Sequence, residues 1–196
     1  MKKERLRVKH NMIAPEKGKI LIAEPFLSES YFQRSVIYMT EHNNESSMGF
    51  VVNKKVDFKV NEFFDELAEI GDIPIYCGGP VETNRLFYLH CLGSEIVPDS
   101  IHVGDGIYLD GDFRALLNYL IEGNSPQGVV KFFLGYSGWE KGQLLAEIEQ
   151  DTWLVAASCR KLLFDVGDED VWADALKQLD SDYSLWNTYP LDPNFN

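Results

Sequence analysis

Residues 129–157 read VVKFFLGYSGWEKGQLLAEIEQDTWLVAA, and their pattern decides the kind of fold. The stretch 129–136 is apolar and β-favouring and runs into two glycines, Gly135 and Gly138. The next segment, 139–150, places Leu144, Leu145 and Ile148 at helical spacing, and 152–157 returns to strand composition. A strand–helix–strand unit this late in the chain calls for a parallel or mixed sheet.

Working outward towards the N-terminus, 85–91 and 73–77 read as strands on either side of the turn Gly78-Gly79-Pro80. Residues 35–40 and 48–54 form a candidate antiparallel pair joined by the polar segment 41–47, and 19–24 is a first strand stopped by Pro25. Phe63, Phe64, Leu67 and Ile70 recur at helical spacing over 61–70, with Asn61 as cap and Gly71 as stop. Short apolar pieces at 101–103 and 107–109 are punctuated by Asp105-Gly106 and Asp110-Gly111. Asp112 can cap a helix carrying Phe113, Leu116, Leu117, Leu120 and Ile121, closed by Gly123. Towards the C-terminus, Asp168, Glu169 and Asp170 crowd the first turn of a helix containing Val171, Trp172, Ala175, Leu176 and Leu179, where capping explains acids better than catalysis does.

Early hairpins and a late strand–helix–strand unit together predict one α/β or α+β domain over 18–182 with a mixed sheet flanked by helices. Residues 1–17 form a basic arm, read as a solvated terminus. Residues 183–196 form an aromatic extension whose Trp186, Tyr189 and Phe195 are expected to lie extended against the body.

Composition narrows the function classes. The chain has 196 residues, 31 acidic and 18 basic, for a net charge of −13. Residues 1–19 hold seven basic and two acidic side chains, so the remainder carries −18, a poor surface for a polyanionic nucleic acid. No apolar run approaches the ~20 residues of a membrane span, and no secretory signal opens the chain, so a cytoplasmic location is expected. Three cysteines without a Cys-x-x-Cys pair give no disulfide framework; Cys77 and Cys91 alternate with apolar neighbours as small core residues, and Cys159 stands beside Arg160 and Lys161.

No dinucleotide or P-loop signature is present, so no cofactor is implied. Ser137 follows Gly135 as in a nucleophile elbow, but Trp139 stands where the elbow needs glycine. His10, His42, His90 and His102 lack metal-ligand spacing, so no metal is expected. His42 and His90 close predicted strands, where structural hydrogen bonding is the simpler reading; Glu41 and His42 point to opposite faces of an extended chain and make no dyad. If 139–150 is helical, Trp139, Gln143 and Glu147 fall on one stripe beside the glycine turn.

At these residues the chain resembles the YqgE/AlgH family of bacterial proteins. The matching blocks are GKILIAEPF at 18–26, FQRSVIYMTEHN at 32–43, MGFVVNK at 48–54, GGPVE at 78–82, LFYLH at 86–90, GYSGWEKGQLLAEI at 135–148 and VWADAL at 171–176, with Trp153. The resemblance implies a single domain with a strongly bent sheet, and the family name carries a role in transcriptional regulation for which no DNA-binding motif is seen here. Carried over residue by residue, it marks Glu41, His42, Asn53, Gly78, Gly79, His90, Tyr136, Trp139, Gln143 and Glu147 as a ligand or partner site, together with Gly49, Pro80, Gly135 and Trp153. The chain departs from the family's usual residues at Ser137, where alanine is common, at Asp151, where asparagine is usual, and at Leu179-Asp180, where the family has Leu-Gly. The expected function is a binding or regulatory module contacting a protein or small molecule. The alternatives are a hydrolase-like enzyme using a His/Glu cleft and a DNA-binding regulator; neither a membrane contact nor a particular oligomeric state is implied.

Overall fold

The first strand is apolar on both faces, and that requires cover on both sides. In the computed structural model, which describes residues 9–27 and 31–189, Ile20 and Ile22 of β1 (Lys19–Ala23) enter one core, and Leu21 and Ala23 enter another. The remaining strands are β2 (Val36–His42), β3 (Ser46–Val51), β4 (Lys55–Lys59), β5 (Pro74–Cys77), β6 (Val81–His90), β7 (Ile101–Gly104), β8 (Ile107–Leu109), β9 (Val130–Glu140) and β10 (Trp153–Ala157). They form one ten-stranded sheet in the order β10-β1-β2-β3-β9-β6-β8-β7, with β5 lying off this path beside β9 and β4 beside β5. Every pairing among the described residues is antiparallel except β5 with β9. The domain is strand-rich and α+β.

The sheet curls. Gly18, just before β1, lies against Val103 and Gly104 of β7, strands far apart in the sheet order. The inner face holds Ile20, Tyr38, Phe50, Phe87 and Phe133, closed by residues of α3 (Arg160–Phe164), α4 (Val171–Leu176) and α5 (Ser181–Ser184). The outer face is divided. Leu144 and Ile148 of α2 (Gln143–Glu149) cover Leu21, Ile37 and Val155, and Leu116 and Leu120 of α1 (Phe113–Ile121) cover Ile75, Tyr88 and Phe132. Asp112 caps α1 as its sequence position predicts, accepting from the Arg114 and Ala115 N–H groups.

Several expectations are corrected. The helix expected at 61–70 is two 3-10 turns, Val60–Glu62 and Asp65–Leu67, separated where Phe64 becomes extended. Asn61 does not cap; its amide donates to the Leu67 carbonyl at 2.5 Å and accepts from Ile73 N at 2.9 Å, stapling the segment to the start of β5. The strand ending at 136 continues to Glu140, so the helix begins only at Gln143 and Trp139 belongs to β9. Strand β4 and helix α3 have no counterpart in the sequence reading. At the C-terminal end Trp186 is buried in a 3-10 turn, Leu185–Thr188, rather than in extended chain, and Tyr189 stacks on Phe26; Phe195 lies outside the described residues.

Within the described part of the basic arm most side chains are exposed, but His10 and Asn11 are held against the body. Asn11 exchanges hydrogen bonds with the backbone of Val155, and the N–H of His10 donates to Asp151 at 2.9 Å. Asp151 adopts a left-handed conformation (φ 64) just after α2, a conformation that glycine and asparagine adopt most readily, and its carboxylate adds the contact to His10.

The acids before α4 also act differently from expectation, because Asp170 makes no side-chain cap bond and Asp168 instead pairs with Lys55 at 2.6 Å and faces Lys131 at 3.9 Å. Lys131 is a cation on the inner face of β9, 7% exposed, donating to the carbonyls of Val52 and Leu163 and lying 4.1 Å above the Tyr76 ring. Burial pushes its pKa down to about 8, against the opposing pull of Asp168. The unfolded chain therefore holds this proton up to about pH 10 while the native chain releases it near 8, so the cost of burying the charge is present below pH 8 and is relieved as pH rises towards 10. Equilibrium urea unfolding is expected to show wild type gaining about 1–3 kcal/mol relative to Lys131→Met between pH 7 and 10. A constant difference across that range would contradict the assignment.

Candidate functional site

The site is organised by a break in β9. Before it, Phe133 faces the inner core and Phe132 the outer; after it, Tyr136 packs on the inner core and Trp139 on the outer one. Regular alternation cannot place residues 133 and 136 on one face, so the strand is reset between them. The reset is at Gly135, whose backbone is left-handed (φ 67). A Cβ there would stand 2.6 Å from the Val81 carbonyl oxygen and 2.7 Å from that of Gly79, and one on Gly78 would stand 2.1 Å from the Gly135 oxygen. Gly78-Gly79 and Gly135 thus pack backbone on backbone, and the Ser137 hydroxyl donates to the Gly78 carbonyl at 3.0 Å. That bond accounts for Ser137, 1% exposed, as a structural group and not a nucleophile.

The reset sends Trp139 to the outer face, where it meets α2. Its indole N–H donates to Glu147 Oε2 at 2.8 Å, and the indole of Trp153 donates to the same oxygen at 2.8 Å, the two rings meeting edge-on at 6.1 Å. Gln143 completes the group: its amide N–H donates to Glu147 Oε1 at 2.9 Å, and its carbonyl oxygen accepts the Glu140 N–H at 3.0 Å. Trp139, Gln143 and Glu147 do meet, but through a strand end and a helix start rather than along a helical stripe.

In front of this group lies a cleft of about 680 Å³ between the β2–β3 hairpin and the end of β9. Met48, Val81, Tyr136 and Trp139 supply its apolar walls, Gly138 leaves backbone within reach, and Glu41, Glu45, Glu140 and Gln143 line it with polar groups. Glu41 accepts from Asn43 at 2.7 Å and Glu45 pairs with Lys141 at 2.9 Å, both exposed. Met48, Val81, Glu45 and Glu140 were not singled out from sequence. The signal that would find Met48 and Glu140 is the register of β3 against the reset half of β9, which sets Met48 opposite Gly138 and Ser46 opposite Glu140.

The other residues marked by the family resemblance lie apart. His42 lines a neighbouring cleft with its Nδ1 2.7 Å from the Ser47 hydroxyl, its cross-strand partner. Asn53 is occupied by backbone, donating to the Arg34 carbonyl and accepting from Val36 N, each at 2.9 Å. His90 is fully buried; Nε2 faces the Asp110 carbonyl at 3.1 Å and Nδ1 accepts from Leu92 N at 3.3 Å, with the Tyr108 ring stacked on it. Gly78 and Gly79 shape the strand crossing behind the cleft. The expectation of one concave surface built from all ten residues is therefore corrected to a smaller group of Glu41, Tyr136, Trp139 and Gln143, with Glu147 behind them.

These features define a curled-sheet α+β domain with a cleft at a glycine-reset strand. The chain belongs to the YqgE/AlgH family: the AlgH-like family model matches residues 20–184. A UPF0301 protein of Parabacteroides distasonis is 50% identical over 190 residues, covering 97% of this chain and 96% of its own, and one from Bacteroides thetaiotaomicron is 42% identical over equal shares. Among solved structures, the AlgH protein of Pseudomonas aeruginosa superposes with a TM-score of 0.68 at 29% identity, covering 91% of this chain and 98% of that one. Protein DIP2367 of Corynebacterium diphtheriae shares the fold, with a TM-score of 0.75 at 23% identity over 93% and 95% of the two chains.

Two outcomes check this geometry. Glu147→Ala strands two buried indole N–H groups, so unfolding stability is expected to fall by about 2–4 kcal/mol and both indole resonances to move in ¹H–¹⁵N spectra; a change confined to one indole would contradict the shared acceptor. Burial lowers the pKa of His90 below its ordinary 6.5, outweighing the bond to Asp110. Its ring should stay neutral in an NMR titration where an exposed histidine is half-protonated, and its contribution to stability is lost as pH falls below 6.5, because only the unfolded chain takes up the proton there.

Proposed function

We propose that the protein is a cytoplasmic binding module that takes an extended, positively charged segment of a partner protein in the cleft between the β2–β3 hairpin and the end of β9. One observation carries this reading: apolar walls of Met48, Val81 and Tyr136 are bordered by Glu41, Glu45 and Glu140, with the exposed backbone of Gly138 between them. Apolar area supplies affinity and the carboxylates select the sign of the partner, as complementary charge does at protein interfaces. The Glu147–Gln143–Trp139–Trp153 group holds the wall rigid, which limits the ordering cost of binding. A body of charge −18 attracts cationic segments and repels nucleic acid. Three free cysteines fit a reducing compartment, and among the described residues no helix is long and apolar enough to cross a membrane.

A second reading rests on the short contact between His42 and Ser47, which would serve as base and nucleophile at the adjacent cleft. A peptide titration and an ester-hydrolysis assay of the same full chain separate the two. Short synthetic peptides alternating lysine or arginine with apolar residues are titrated into the labelled full chain, beside glutamate-bearing counterparts. The binding reading expects salt-sensitive shifts at Tyr136, Gly138 and Gln143 with the basic peptides alone, weakened about tenfold by Glu140→Lys. Equal binding of the acidic peptides, or ester turnover abolished by His42→Ala, would overturn it.

A further inference from the structure

A different face of the molecule carries two cations without a counterion between them. The chain enters β2 through Arg34, whose backbone is left-handed (φ 50), a costly conformation for a residue with a side chain. Asn53 holds it there, bonding the Arg34 carbonyl with its amide N–H and the Val36 N–H with its amide oxygen. The guanidinium is thereby laid over the Trp172 ring, 5.0 Å from its centroid, with one Nη donating to the Tyr189 carbonyl. Its Nε–H is buried and meets no acceptor among the described residues.

The residue after this clamp is Lys54, half-buried, with no carboxylate of the described residues within ion-pair distance. Burial and, secondarily, repulsion from Arg34 lower its pKa. Arg34 and Lys54 line a cleft of about 710 Å³ together with Asn53, Lys177 and Asn187. The acids of that cleft do not neutralise the pair: Asp168 is taken by Lys55 at 2.6 Å and Asp174, outside it, holds Lys177 at 2.7 Å, which leaves Glu169 as the remaining carboxylate on the lining.

Two like charges converging where water is partly excluded are held at a cost, and a strained turn clamped by a dedicated amide fixes one of them in place. The missing group is a negative charge in the cleft that both cations line. We propose that Arg34 and Lys54 form an oxyanion-binding site that takes the phosphate or carboxylate group of a small ligand. This site is separate from the peptide cleft and stands or falls without it.

The test is an NMR titration of the full chain at low ionic strength, following arginine Nε–H signals, with sodium phosphate, sodium acetate and, as control, sodium chloride. The Arg34 signal is identified by its loss in Arg34→Lys, or by its response to Lys54→Met should that variant not fold. Saturable movement with phosphate or acetate and not with chloride, weakened about tenfold in Lys54→Met, supports the site, and the effective anion tells which ligand class supplies the group. Movement that grows linearly with all three salts, or saturable movement unchanged in Lys54→Met, overturns it.

Discussion

Everything distinctive in this molecule follows from one steric constraint: three glycines let two stretches of backbone touch at the middle of the sheet. Gly78 and Gly79 pass against Gly135 and Tyr136 at separations that leave no room for a Cβ, and Gly135 turns left-handed under that contact. A β-strand keeps its side-chain alternation unless an irregularity resets it. Here the reset carries the chain from one phase, in which Phe133 fills the inner core, to the other, in which Trp139 reaches the outer helix α2. The same point marks a change of partners, since β9 pairs with β5 and β6 up to Tyr136 and with β3 from Ser137 on.

The electrostatic design rests on this geometry. The half of β9 after the reset ends in an anchored cage in which one carboxylate, Glu147, serves two indoles and an amide. Such charge-assisted bonds are worth more than neutral ones and fix their partners' rotamers. The half before the reset buries Lys131 between two carbonyls and the Tyr76 ring, tying α3 to the inner face of the sheet. Acidic groups collect round the cleft at one end, and an unneutralised cation pair sits at the entry to β2.

Much of this architecture is legible in the sequence. Strands β1, β2 and β10 announce themselves by continuous apolar runs, and α1 by its Asp112 cap and Gly123 stop. Residues 61–70 mislead because periodicity counts Phe63 as buried, whereas it is 55% exposed and Asn61 spends its amide on stapling the segment to β5. The reach of β9 to Glu140 is hidden because two glycines and a tryptophan read as a helix entry, and only tertiary contact with Gly78-Gly79 turns them into strand. Family motifs mix two kinds of residue that sequence cannot separate: Asn53 and His90 hold backbone, and Tyr136 and Gln143 line a cleft. Arg34 and Lys54 escape notice because their significance lies in a missing partner, which only coordinates reveal.

The most direct measurement compares urea unfolding of Gly135→Ala with that of Gly142→Ala. Both glycines are left-handed, at φ 67 and φ 75, but a Cβ on Gly142 would meet nothing within 4 Å, so that variant bears the conformational cost alone. The account predicts a loss of about 1 kcal/mol for Gly142→Ala and of about 3 kcal/mol or more for Gly135→Ala, with the Trp139 indole resonance displaced in the latter only. Equal losses, with the Trp139 signal in place in both, would contradict the claim that the backbone contact at Gly135 organises the site.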